Sequence, residues 1–279
     1  MSSLADLPVL GVGLGYRAPF RADLFANRER VDFLEIVADH YFAASREKLD
    51  ELDLLANHFT LIPHGLDLSI GSAEGIDGAY LDQFAALIER LDPPYWSEHL
   101  AFTRAGGVSI GHLACLPYTR EAVDIVVRNI ETVRRRIALP LILENITASV
   151  LIPGAEMDEP EFVGAVLEEA DCGWLCDVTN LFTNAFNQGL DAAAGLDRWP
   201  WERVVQMHFA GGRFSDGFLL DTHDGLTSPE VWRLLEQALA RSNAKGIILE
   251  RDERPPPFDE LLGELDQARA IGRRLGRWP

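Results

Sequence analysis

Eight short apolar runs punctuate this chain, and they do not alternate. They are 8–14 (PVLGVGL), 31–38 (VDFLEIVA), 59–65 (FTLIPHG), 95–102 (YWSEHLAF), 140–146 (PLILENI), 172–180 (CGWLCDVTN), 203–210 (RVVQMHFA) and 245–252 (KGIILERD). A strand with one wet face alternates apolar and polar residues, whereas a near-continuous apolar run is buried on both faces, as in a parallel sheet covered by helices. Between the runs lie segments with apolar residues three and four apart, such as 79–90 (AYLDQFAALIER). The strongest is 119–139, with Thr119 as N-cap and Arg134, Arg135 and Arg136 at the negative end of the helix dipole. Further helices are expected at 20–30, 45–57, 158–170, 228–242 and 258–276, with 181–200 an irregular excursion. Eight strand–helix units over roughly 9–275, with no linker rich in Gly, Pro or Ser, predict an α/β chain of one domain. The architecture that fits is a closed (β/α)8 TIM barrel over residues 1–279, since such barrels take about 250 residues. The connections after strands four, six and seven are long and are expected to roof the site.

The strand exits narrow the chemistry. The run at 140–146 breaks into Glu144 and Asn145, a carboxylate and an amide that are costly to bury unless something binds them. Ligands in parallel barrels sit at the C-terminal ends of strands. The same design recurs: His64, His99, Asp177 with Asn180, His208 and Glu250 each stand at the exit of an apolar run. One strand-end histidine is ordinarily a hydrogen-bonded core residue; six strands ending in donors describe a multinuclear metal site. Imidazole and carboxylate ligation without cysteine suits iron, manganese or zinc in a catalytic role. Glu144 is placed to bridge two metals, one held by His64 and His99 and the other by Asp177, His208 and Glu250. Asp221 and His223 lie on one side of an extended loop and, with Asn180, form a third position.

Composition removes several classes. The chain has 44 acidic against 25 basic residues, a formal charge of −19, which argues against nucleic acid because phosphate binding needs a basic face. No apolar run approaches the roughly 20 residues of a membrane span, and the N-terminal MSSLADLPVL lacks the basic start of a signal peptide. The expectation is a soluble, cytoplasmic protein. Cys172 and Cys176 flank an apolar strand as reduced core thiols would, and with Cys115 they match no zinc spacing. Gly11, Gly13 and Gly15 are read as room at a barrel mouth rather than a dinucleotide fingerprint, because RAPFRADLF follows where a helix should begin. A sugar isomerase or epimerase with the same ligand style would need a catalytic lysine, and the only lysines, Lys48 and Lys245, are not at strand exits. A metal-dependent hydrolase barrel or a non-catalytic metal-binding partner protein would account for the same set of donors.

SEHL (97–100), GHLACLPYT (111–119), PLILENIT (140–147), CDVTN (176–180), QMHFAGG (206–212), DTHD (221–224) and ILERD (248–252) resemble, in that order, the signature of one family. It is the multinuclear non-heme iron-dependent oxidative enzymes (domain of unknown function family 692, methanobactin synthase subunit-like), and the likeness covers roughly residues 9–265. The resemblance implies a TIM barrel holding two or three irons. It implies O2 as co-substrate, and oxidation of cysteine residues in a ribosomally made precursor peptide, in many members shown to the enzyme by a partner protein. It implies iron at His64, His99, Glu144, Asp177, His208 and Glu250, with Asn180, Asp221 and His223 around a third ion. The chain departs from the family at strand two, where LEIVADHY (34–41) keeps Glu35 and Tyr41 but has Val37 for a histidine and Asp39-His40 for a Glu-Asn pair. Glu35, Asp39 and His40 are therefore expected at the reacting centre, with Asp39 and His40 lining the pocket and helping to choose the substrate.

Overall fold

The computed structural model describes residues 4–148, 150, 152–252 and 256–278. Its strands in chain order are β1 (Gly11–Gly15), β2 (Phe33–Val37), β3 (Thr60–Gly65), β4 (Trp96–His99), β5 (Phe102–Ala105), β6 (Val108–Ala114), β7 (Leu141–Glu144), β8 (Gly173–Asp177), β9 (Val204–Phe209), β10 (Gly211–Ser215), β11 (Phe218–Gly225) and β12 (Gly246–Leu249). The helices are α1 (Arg21–Ala26), α2 (Arg46–Ala56), α3 (Gly78–Leu91), α4 (Arg120–Arg134), α5 (Glu159–Glu169), α6 (Val178–Asn187), α7 (Pro229–Arg241) and α8 (Phe258–Arg274). Eight parallel strands close in the order β1-β12-β9-β8-β7-β4-β3-β2, one from each apolar run, so the expected barrel is present.

Three connections differ from the sequence reading. The segments after β4 and β9 are antiparallel hairpins, β5–β6 and β10–β11, rather than irregular loops. The expected excursion at 181–200 begins inside α6, which starts directly at the exit of β8 with the Asp177 side chain accepting the Asn180 N–H as its N-cap. Polar residues on α6 hide its periodicity, but they have tertiary partners: the Asn184 amide donates to the Ile146 carbonyl and its oxygen accepts from the Ala148 N–H.

The side-chain alternation of a strand sorts each run between two cores. Leu34, Leu61, Trp96, Leu141, Trp174, Met207 and Ile247 face the helices in the larger cluster, while Phe33, Ile62, Tyr95, Ile142, Leu175, Val205 and Ile248 with Leu7 fill the barrel interior. Cys172 and Cys176 are buried free thiols, as expected, with burial pushing the former up to about 12 and raising the latter as well. Of the glycines of β1, Gly13 makes room for the interior plug, whereas Gly15 lies beside Arg17 and Glu250 at the mouth. A Cβ on Gly13 would lie 2.7 Å from both the Ile248 Cδ1 and the Phe33 carbonyl oxygen. Gly13→Ala is therefore expected to lower stability by about 1–3 kcal/mol through overpacking, read as a shifted urea midpoint with unchanged slope. An unshifted midpoint would mean that β1 does not press on Phe33.

Candidate metal centre

Each donor stands two residues beyond an interior residue of its own strand: Ile62 then His64, Ile142 then Glu144, Leu175 then Asp177, Gln206 then His208, Ile248 then Glu250. A spacing of two returns the side chain to the same face one layer higher, so the donors form a ring directly above the apolar plug. Two groups share Glu144: His64, His99 and Glu144, and Glu144, Asp177, His208 and Glu250, all buried. A third, His223, Glu250 and Asp252, stands at the rim and shares Glu250.

Hydrogen bonds fix which imidazole nitrogen faces inward. His99 Nδ1 lies 3.0 Å from the Gly65 carbonyl, which can only accept, so His99 donates there and turns Nε2 inward. His64 Nδ1 is held at 2.8 Å by the Ser97 hydroxyl. The two Nε2 atoms lie 3.3 Å from each other and 3.4 and 3.5 Å from Glu144 Oε2. On the opposite side Glu144 Oε1 lies 3.4 Å from His208 Nδ1, which is also 3.2 Å from Glu250 Oε2. Glu144 thus turns one oxygen to each histidine group. His208 Nε2 is tied to Glu35, 2.9 Å from Oε1, and Gln206 donates to the same carboxylate at 2.6 Å while accepting from the Tyr95 hydroxyl at 2.9 Å. Glu35 therefore orients His208 from beneath and does not face the cavity, which corrects its expected place at the reacting centre.

His223 adopts φ +48°, in the left-handed region that non-glycine residues rarely enter. Its Nε2 lies 2.5 Å from Asp221 Oδ1, and its Nδ1 lies 2.9 Å from Asp252 Oδ2 and 3.5 Å from Glu250 Oε2. Such strain persists only where the surroundings over-determine it. Asn180 lines the cavity close to Asp221: its oxygen accepts the Thr147 hydroxyl at 2.5 Å, that hydroxyl lies 3.1 Å from Asp221 Oδ2, and the Asn180 amide donates to the Asn145 carbonyl at 3.1 Å. Asn145 is likewise satisfied within the fold, accepting from the Trp174 indole and the Asp177 N–H. Asp39 is corrected too. Its carboxylate accepts from the Leu66 N–H at 2.9 Å and the Tyr80 hydroxyl at 2.7 Å, pinning the β3–α3 connection, whereas His40 lines the cavity as expected. Asp252 is a donor that the sequence reading misses. Its signal is the same spacing of two that gives the other donors, counted onward from Glu250.

The titratable groups of this floor shift one another strongly, because they are crowded together in a dry space. Burial, then His99 and His208, push His64 well below the usual histidine range. Burial opposes protonation of His99, but the Glu144 charge and the Glu98 contact raise it to about 9. Burial also opposes protonation of His208 and His223, and Glu250 with the neighbouring carboxylates pushes both well up. Burial raises Asp177, with Glu144 and Asp221 adding to it. Among the described residues, five buried polar atoms here lack a hydrogen-bond partner: Glu144 Oε2, Asp177 Oδ2, His208 Nδ1, Asp221 Oδ1 and His223 Nε2. Buried polar groups are ordinarily paired; of these five, Asp221 Oδ1 and His223 Nε2 lie 2.5 Å apart, and Glu144, Asp177 and His208 belong to one donor group. The donor set fits bound metal.

Above the floor opens a cavity of about 1440 Å3. Its far wall is the β10–β11 hairpin, clamped to α6 by Asn187, whose amide donates to the Leu219 carbonyl at 2.9 Å and whose oxygen accepts the Leu219 N–H at 2.8 Å. Phe218, Leu219, Leu220 and Leu190 give that wall an apolar surface.

A family model described as RiPP precursor modification enzyme MbnB/TglH/ChrH matches residues 11–273. A UPF0276 protein of Caulobacter vibrioides is 36% identical over 271 residues, 96% of this chain and 97% of the relative. A UPF0276 protein of Pseudomonas aeruginosa is 36% identical over 270 residues, covering 96% and 94%. Among solved structures, a xylose isomerase domain protein from Planctomyces limnophilus superposes with a TM-score of 0.61 at 12% identity, covering 98% of this chain and 100% of that one. A D-psicose 3-epimerase from Clostridium cellulolyticum H10 gives 0.60 at 14%, covering 95% and 99%. At such identities these two show the barrel fold alone.

The loop bearing Ile146 and Thr147 depends on a titratable brace. Asn184, which holds Ile146 and Ala148, also donates to Glu159 at 3.1 Å. Burial pushes the Glu159 carboxyl up to about 7, against the lowering effect of that hydrogen bond. A carboxyl raised on folding contributes its stability below its unfolded value, and loses it as pH rises through the folded value. Relative to wild type, Glu159→Gln should therefore gain stability between about pH 5 and pH 8 in chemical denaturation. A difference that does not change with pH would show that Glu159 titrates normally.

Proposed function

Since the chain belongs to the RiPP precursor modification enzyme family described as MbnB/TglH/ChrH, we propose that it is an iron- and O2-dependent oxidase acting on cysteine residues of a ribosomally made precursor peptide. The observation that carries this reading is the ring of orphaned buried donors at the strand exits, under a cavity large enough for a peptide segment. Nitrogen and oxygen ligation without thiolate suits iron in a redox role. His64, His99 and Glu144 would hold one iron, and Glu144, Asp177, His208 and Glu250 a second. His223, Glu250 and Asp252, with Asp221 beside them, would hold a third. Bound iron would supply the redox chemistry, accepting electrons from a cysteine thiolate with O2 as the terminal acceptor. The chain's own residues provide geometry and dryness: Glu35 and Gln206 orient His208, the interior plug keeps water from below, and the apolar hairpin wall shields the cavity from the side. His40, at the strand-two departure, stands on the wall a substrate would pass. Exposed Phe214, Phe218 and Leu220 on the β10–β11 hairpin suit a partner protein that presents the peptide.

Iron added anaerobically to the purified protein should reach about two or three ions per chain by metal analysis, the number these ligand groups support, with O2 consumed when a cysteine-containing peptide is present. Full occupancy by zinc with no iron uptake would sink the reading. Glu144→Gln replaces an anionic bridge with a neutral ligand and should empty two positions, whereas Asp221→Asn should disturb the rim position only. Equal iron loss from both folded variants would show that Glu144 does not bridge. Glu35→Gln should fold normally and weaken metal binding by about 10–100-fold, the range for a lost partner of a ligating histidine.

A further inference from the structure

A smaller pocket of about 240 Å3 adjoins the cavity and shares Arg17, Val37, His40 and Asp252 with it. Its deeper wall carries Tyr41, Lys48, Glu51 and Arg251. The two acids of this pocket are already engaged. Asp252 is paired with Arg17 and His223, and Glu51 accepts the Tyr16 hydroxyl and lies 3.6 Å from Arg21. The cations are not matched in the same way. Lys48 has its ammonium 5.2 Å from the Tyr41 ring and, among the described residues, no salt-bridge partner, in a chain where acids outnumber bases by 44 to 25. Arg251 lies behind the wall, 2% exposed, with Glu264 taking one end of its guanidinium and, among the described residues, no hydrogen bond to Nε or Nη1. The positive field is felt locally: burial, then Lys48 and Arg17, lower the pKa of His40. A half-buried ammonium and a buried, under-bonded guanidinium lining the same pocket make a setting that an anion completes.

We propose that this side pocket is a carboxylate-binding subsite, which takes an acidic side chain or the chain terminus of the substrate peptide while the reacting residue reaches the metal floor. The assignment of the carboxylate to a peptide rests on the function proposed above; the anion preference rests on Lys48 and Arg251 alone. The opening shared through Arg17 and His40 lets one ligand span both spaces, so the pocket would select substrates by an acidic group near the residue that is modified.

The test is calorimetric titration of the iron-loaded protein with two small acids, N-acetylglutamate N-methylamide for a side chain and N-acetylalanine for a chain terminus, each against its neutral primary amide. At least one acid should bind while its amide does not, and the tighter acid identifies which source the pocket takes. Lys48→Met, which keeps the aliphatic stem, should weaken that binding about tenfold or more, as loss of a charged hydrogen bond does, with iron content unchanged. Lys48 is the chosen position because Arg251 is buried in an ion pair and its variants would be at risk of misfolding. Amides that bind as well as the acids, or acid binding that Lys48→Met leaves intact, would overturn the subsite. Inorganic phosphate that binds more tightly than either acid, and only when Lys48 is present, would overturn the carboxylate assignment. No step of this test needs turnover: failure to oxidise any cysteine peptide would count against the function, and failure to bind acids against the subsite.

Discussion

The structure depends on a single vertical relationship, a charged or polar donor stacked two residues above a buried apolar side chain on the same strand. Phe33, Ile62, Ile142, Leu175 and Ile248 close the barrel from below, and Glu35, His64, Glu144, Asp177 and Glu250 stand one layer higher. The plug excludes water from the donors. Without water, each charge is expensive to keep, so burial raises Glu35 and Asp177 and lowers His64, while at His99, His208 and His223 the neighbouring carboxylates outweigh it and raise the imidazoles. The ring is tolerable only with protons shared among its members or with cations held between them. The five buried atoms without hydrogen-bond partners are what makes the donor set fit cations.

Tension of this kind also explains the supporting polar network. Glu35, Gln206 and Tyr95 form a chain across the barrel, from β2 to β9 and back to the residue before β4, strands that do not neighbour one another in the sheet. The chain places a carboxylate on the outer nitrogen of His208, so the inner nitrogen must face Glu144 and Glu250. Gly65 does the same for His99 with a backbone carbonyl, and Ser97 anchors His64. Three histidines thus have three different anchors and one common result: a lone pair or an acidic neighbour directed at Glu144. That arrangement is bought with buried polarity that a purely structural barrel would not carry.

Much of this is legible in the chain. Non-alternating runs point to the parallel barrel, and the donors at strand exits can be counted because strand period and strand end are both local properties. What escapes is non-local or masked. The register across the barrel, which sets Glu35 beneath His208, has no signature along one strand. Helix α6 is hidden because Asn180, Thr183 and Asn184 lower helix propensity, and their burial shows that packing and capping outweigh it. The hairpins pass for loops since Gly106, Gly107 and Gly217 look like breakers, when their positive φ angles make the turns that let β5–β6 and β10–β11 pair. Asp39 and His40 look equivalent as neighbours, yet a 3-10 turn at Ala38–Tyr41 sends one to Tyr80 and the other to the cavity.

That divergence separates two jobs within the molecule. Residues on the barrel strands are fixed by the sheet and by the plug, so the donor ring has little freedom to vary. The connections that follow those strands carry everything else that faces the cavity: His40 after β2, Thr147 after β7, Asn187 at the end of α6, and the leucines and phenylalanine of β11. Asn187 shows how such a wall is made firm without a further strand, since one side-chain amide pairs with both backbone groups of Leu219 as a neighbouring strand would. The Thr147 hydroxyl, donating toward both Asn180 and Asp221, ties the β7 loop to α6 and to β11 in the same way. The donor ring is therefore a property of the strand ends, and the shape of the cavity a property of segments pinned to them by single polar side chains. A substitution at Asn187 would reshape the cavity while leaving the ring intact, because Asn187 belongs neither to the donor groups nor to the plug that holds them in place.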